Sequence, residues 1–154
     1  MPWANSKIFS AYITDMANNT AALDLDTDSI KTTLYGNTGT PSQSVTSANS
    51  AYAVDQWVTG NELTNGGWVA GGLALASKTS TFASNVYTFD AADRAGGATD
   101  TLTNVQGCLV YEDTLTTPVA DQGICYNYFG GPNSVTSGTF TIVWNASGIF
   151  TITL

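Results

Sequence analysis

The closing stretch Gly138-Thr139-Phe140-Thr141-Ile142-Val143-Trp144-Asn145-Ala146-Ser147-Gly148-Ile149-Phe150-Thr151-Ile152-Thr153-Leu154 decides the fold class. Phe140, Ile142 and Trp144 alternate with Thr139, Thr141 and Val143, and Phe150, Ile152 and Leu154 alternate with Ile149, Thr151 and Thr153. A period of two sends successive side chains to opposite faces, as in a half-buried antiparallel strand. Asn145-Ala146-Ser147-Gly148 between them has turn chemistry, so the two strands are expected to form a hairpin. Working backwards, further short strands are read over Gly123–Phe129, Thr103–Tyr111, Val86–Phe89 and Thr81–Ser84, with turn residues between neighbours. Short, densely punctuated strands predict a mainly β chain, an antiparallel sandwich or barrel-like domain.

Towards the N-terminus, Ile8, Phe9, Tyr12, Ile13 and Met16 recur at helical spacing after Asn5, which has a capping side chain. This predicts one N-terminal α-helix closing near Asn18-Asn19 and lying across the sheet. Ile30, Thr32 and Leu34 alternate with Lys31, Thr33 and Tyr35, the pattern of a first strand with a short helix as the alternative. Residues 36–50 are rich in Gly, Ser, Thr, Asn and Pro with no apolar period, so they read as an extended loop; residues 1–5 read as an arm. Ala51–Val58 is too short to assign between strand and helical turn. Asn65-Gly66-Gly67 is a turn, and Gly71-Gly72 marks a bulge or a close backbone approach. No repeat or second domain is evident, and 154 residues suit a single domain spanning 1–154.

Composition bears on function by subtraction. Twelve acidic and four basic residues give a net charge of −8, which disfavours nucleic acid and anionic membrane partners. Histidine is absent, which removes the usual general base and the commonest metal ligand. The first residues lack a secretory pattern, and no apolar run approaches about 18 residues, so the expectation is a chain that is neither exported nor anchored. No cofactor is expected.

Three constellations could carry chemistry. Asp24, Asp26 and Asp28 are spaced like the first ligands of a calcium loop, but Ser29 stands where that loop needs glycine and Tyr35 where it needs glutamate. A solvated acidic turn is the expectation. Glu112, Asp113 and Asp121 could share one hairpin rim; glycosidase chemistry would need one of them held protonated in a pocket, and an exposed acidic turn is the plainer reading. Cys108 and Cys125 sit directly opposite if Tyr111 pairs with Gln122, which leaves a cross-strand disulfide and buried free thiols both open. A catalytic thiolate is not expected, because no basic side chain is near in sequence.

Aromatic residues are abundant, and most are expected in the core. Trp3, Pro41, Trp57, Trp68, Tyr128 and Phe129, in or near loops and strand ends, are the candidate interface residues. Trp3 stands out, since a terminal segment seldom buries so large a ring.

Several stretches resemble a family of small tailed-bacteriophage virion proteins associated with head decoration or cementing. They are Asn61-Glu62-Leu63-Thr64, Gly67-Trp68-Val69-Ala70-Gly71-Gly72-Leu73-Ala74-Leu75, Gly107-Cys108-Leu109-Val110-Tyr111, Tyr126-Asn127-Tyr128-Phe129-Gly130-Gly131, Ser134-Val135, and Gly138–Ile142 with Gly148-Ile149-Phe150. These are turn and core patterns and specify a fold better than an activity. The resemblance implies a non-enzymatic protein on the capsid exterior, assembled in the host cytoplasm and bound across major capsid protein subunits. It also implies self-association as a dimer or trimer matched to local axes. On that reading residues 1–5 and 36–50 carry part of the contact and can be deleted without unfolding the domain. A tail or connector component belongs to the same class. A carbohydrate-binding sandwich is the rival, and a flat exposed row of Trp68, Tyr126 and Tyr128 would favour it.

Overall fold

In a computed structural model, which describes residues 3–154, the chain is mainly β with antiparallel sheets, as the alternation predicts. Met1 and Pro2, part of the expected arm, lie outside the described residues. In chain order the elements are β1 (Lys7–Ile8), α1 (Ser10–Ala17), β2 (Ile30–Tyr35), α2 (Ser47–Ser50), two 3-10 turns, β3 (Leu73–Ala74), β4 (Thr79–Ala83) and β5 (Val86–Asp90). Then follow β6 (Arg94–Ala95), β7 (Asp100–Glu112), β8 (Gly123–Gly138), β9 (Thr141–Ile142) and β10 (Phe150–Thr153). A five-stranded sheet has the order β1-β8-β7-β2-β3, a three-stranded one the order β10-β5-β4, and β6 pairs with β9. The sheets are open, so the barrel alternative does not hold.

The long β7–β8 hairpin is the spine. From Gln106 to Glu112 every residue of β7 is buried, as are Gly123 to Tyr126 of β8, so the middle of this sheet is covered on both faces. β2 behaves alike: Thr32 and Thr33 are both fully buried, and the expected alternation there is absent because the strand has no solvent face. One contiguous core joins this sheet to Phe89, Ile142, Trp144 and Phe150 of the other strands.

In the final stretch residues 141–144 alternate as read, with Ile142 and Trp144 buried and Thr141 and Val143 exposed, but after the turn the expected alternation breaks, since Ile149 is buried beside Phe150 and Leu154 is exposed. Its pairing differs. β10 pairs with β5 and β9 with β6, so residues 141–153 run antiparallel along residues 86–95 as one interrupted ladder and not as a hairpin. Asn145–Gly148 does form a tight turn, closed by Gly148 N–H to Asn145 C=O at 2.7 Å. On either side of it the backbone is claimed by the other segment: Ile149 N–H donates to Phe89 C=O and Trp144 N–H to the Asp93 carboxylate. The expected continuous strand from Gly138 also fails, since β8 itself runs through Gly138.

The N-terminal helix exists but begins later than predicted, at Ser10, with Phe9 and not Asn5 at its cap. Lys7 and Ile8 are drawn into the sheet opposite Tyr126 and Cys125, and Phe9 N–H donates to Ile124 C=O. A strand pairing and a fully buried Phe9 outweigh one capping bond. Tyr12 is buried while Met16 is exposed, so the sheet covers only part of the stripe.

Residues 36–50 are not a free arm. Gln43 C=O accepts from Ser10 N–H, Thr46 caps α2, and Ser50 is fully buried. Asn65–Trp68 closes as the expected turn, with Gly66 at φ 63°. Gly72, at φ 72°, lies so close to Thr32 that a Cβ would stand 2.1 Å from its carbonyl oxygen, the close approach its sequence context implied.

Candidate binding surface

Three of the six candidate interface residues are core residues. Trp3, Trp57 and Trp68 are at most 2% exposed. Trp3 packs edge-on against Trp57 and Tyr126, and its Nε1–H donates to Gly36 C=O at 2.9 Å. Trp68 donates from Nε1 to Phe140 C=O and stands edge-on to the Phe140 ring. The terminal segment buries its Trp by threading it between β8 and the 36–50 loop, an arrangement that only long-range contacts reveal. Tyr126 is also buried, so Trp68, Tyr126 and Tyr128 do not form the flat exposed row that sugar stacking requires.

Pro41, Tyr128 and Phe129 remain partly exposed and belong to two concavities. The smaller, about 250 Å³, lies among Ala4, Asn5, Lys7, Pro41, Gln43 and Tyr126, so the two segments expected to carry contacts meet there. The larger is a groove of about 650 Å³ between the β8 edge beyond Tyr126 and the segment from Phe140 to Thr151. Tyr128, Phe129, Phe140 and Val143 give it apolar surface, and Asn127, Asn133 and Asn145 give it amides. Val143 is 71% exposed. Among the described residues no Asp, Glu, Lys or Arg lines it, in a chain of net charge −8.

The wall of this groove is held by a carboxylate that composition alone does not single out. Asp100 is fully buried and accepts from Gly67 N–H at 2.7 Å, Gly97 N–H at 2.9 Å and Phe140 N–H at 3.0 Å. Burial raises its pKa, but the three backbone donors outweigh that and hold the carboxyl below its ordinary value. One side chain thus ties the Asn65–Trp68 turn, the loop before β7 and the start of the groove wall together. Gly66 has no room for a side chain here, since a Cβ would stand 2.5 Å from the Asp100 carboxylate.

The three carboxylates of the β7–β8 hairpin lie near one another, but not as the exposed acidic turn expected of them. Glu112 is buried; its carboxylate accepts from Thr114, Leu115 and Gln122 N–H, while Asp113 forms an ion pair with Lys31 at 2.8 Å. Burial raises the pKa of Glu112 and of Asp121. Backbone donors engage both Glu112 oxygens, so this group staples the loop between the strands. Glu62, also raised by burial, accepts from the Tyr52 hydroxyl at 2.8 Å, and Tyr52 stacks on Tyr111.

Asp24 accepts from Asp26 and Thr27 N–H, and Asp28 accepts from Asp24 N–H, so this acidic run is a self-capped turn. Among the described residues no group of three or more Cys, Asp or Glu side chains is arranged to hold a metal ion. No helix among them is long and apolar enough to cross a membrane.

Cys108 and Cys125 are free and fully buried. Tyr111 pairs with Gly123 and not Gln122, so Cys108 faces Asn127 and Cys125 faces Val110, and the directly opposed arrangement is lost to a register shift beside Tyr111. Burial pushes the Cys108 thiol up to about 12 and raises Cys125 well above its usual value.

No protein-family model, curated protein or solved structure matches this chain.

Proposed function

We propose that this chain is a non-enzymatic structural protein of a tailed-phage virion that decorates the capsid by binding across neighbouring major capsid protein subunits. The observation that carries the reading is the uncharged groove between β8 and the Phe140–Thr151 segment, with Tyr128, Phe129, Phe140 and Val143 beside a set of asparagine amides. In an acidic chain, a neutral, partly apolar concavity is where another protein's surface docks with the least electrostatic cost. The virion assignment itself rests on the resemblance of the turn and core motifs; the groove supports the protein-binding half of it. Many weak copies on a symmetric shell gain retention through repetition, so a modest groove suffices.

Particle composition tests the reading. Quantitative mass spectrometry of purified virions should find this chain at hundreds of copies, in fixed ratio to the major capsid protein. A handful of copies would move it to the tail or connector, and absence from particles would end the virion reading.

A further inference from the structure

β4 is an edge strand with no strand paired on its outer side among the described residues, and its sequence, Thr79-Ser80-Thr81-Phe82-Ala83, carries none of the devices that normally blunt an edge. It has no charge and no proline, and its pairing with β5 runs through five consecutive positions without a bulge. Phe82, 59% exposed, lies on it. The phase of the ladder fixes what the edge offers. Ala83 and Val86 flank the two-residue turn Ser84-Asn85, and Leu154 N–H donates to Asn85 C=O, so the backbone groups of Thr79, Thr81 and Ala83 face β5. Those of Ser80 and Phe82 point outward.

We propose that two copies of this chain associate through β4, antiparallel about a two-fold axis at Thr81, to make one six-stranded sheet. Ser80 of each copy pairs with Phe82 of the other, which matches every outward N–H with a C=O and forms four hydrogen bonds. Directly opposed residues project to the same side, so Phe82 and its symmetry mate share a face and lie diagonally within contact. That face is the one holding Tyr87, Phe89, Phe150 and Ile152, so the apolar side of the sheet continues across the axis. Charge favours this edge: the copies repel overall at −8 each, while the paired strands are neutral and the antiparallel arrangement sends the two Lys78 side chains to opposite ends. The pairing names an interface for the self-association that the virion resemblance implies, but it needs only this chain, so either can fail alone.

Thr81 is exposed and falls at a non-hydrogen-bonded pair on the axis, where opposed Cα atoms approach to about 4.5 Å, a separation a disulfide spans. The variant Thr81→Cys should therefore form a covalent dimer on mild oxidation, and the native cysteines are buried away from it. Sedimentation equilibrium of the unmodified chain should give twice 16.1 kDa. Phe82→Lys should weaken association by at least about tenfold, with Phe82→Ser giving a smaller loss and unchanged circular dichroism in both. A monomer mass at all concentrations would overturn the proposal. So would Thr81→Cys remaining monomeric while a Thr81→Cys, Thr151→Cys pair forms ladders beyond the dimer, because that pattern means head-to-tail addition of β4 to β10.

Discussion

Replacing Asp100 with alanine tests how the groove is held. Three backbone N–H groups, of Gly67, Gly97 and Phe140, lose a charged acceptor together. A hydrogen bond to a charged group contributes about 1.5–3 kcal/mol net, and the three share one acceptor and are not additive, so a loss of about 3–5 kcal/mol is expected. For a chain of this length that lowers Tm by about 10 °C. Asp100→Asn keeps one oxygen but sets an amide against one of the donors, so about half of that loss is expected. The sign with pH follows from the lowered carboxyl. The folded state holds its proton more weakly than the unfolded chain, so the stabilisation is fully present above the ordinary value of 3.8 and is lost as pH falls through the lower folded value. Urea titrations at neutral pH and near pH 2.5 supply the readout, and the gap between the native chain and Asp100→Asn should narrow in acid. An alanine variant within about 0.5 kcal/mol of the native chain would show that these bonds do not hold the loops.

Two further outcomes follow from the packing. Cys108 and Cys125 should resist a thiol reagent in the folded state and react together on unfolding, since burial holds both thiols protonated; rapid modification of either in native buffer would contradict their placement. Trp3→Ala should cost about 3–5 kcal/mol by chemical denaturation, because the indole fills a buried site and donates to Gly36. A variant of native stability would return Trp3 to the surface role that its terminal position suggested.

How far the sequence could be read depended on whether the signal was local. Alternation over Thr139–Trp144 correctly separated Ile142 and Trp144 from Thr141 and Val143, because burial of one face is written into a period of two. It could not say which strand lies alongside, and the good turn at Asn145–Gly148 pointed to the wrong partner; the true partners, β5 and β6, are remote in sequence, as Phe150 opposite Phe89 and Ile142 opposite Arg94 show. The N-terminal helical period was real, but Lys7–Phe9 was captured by β8, which no window around residue 8 reveals. The glycines did better, since Gly66 and Gly72 occupy positive φ at places where a side chain would collide. Of the candidate interface residues, Tyr128 and Phe129 reached the groove, while Trp3, Trp57 and Trp68 went to the core. Large rings bury first, and a loop position in sequence does not say what folds over it. Val143 and Asn145 were passed over because each looked like ordinary strand or turn composition. Asp100 was missed because its three partners come from three separate loops.

The proposed docking through the uncharged groove beside β8 is checked by binding to shells. The purified chain is mixed with capsids stripped of it and pelleted, alongside Val143→Asp, a change at a position 71% exposed that brings a charge into the groove. Saturable binding of the native chain is expected, with a loss of at least about tenfold in affinity for the variant and equal thermal stability of the two. Equal binding of both proteins, or no binding of the native chain to shells that lack it, would contradict the claim.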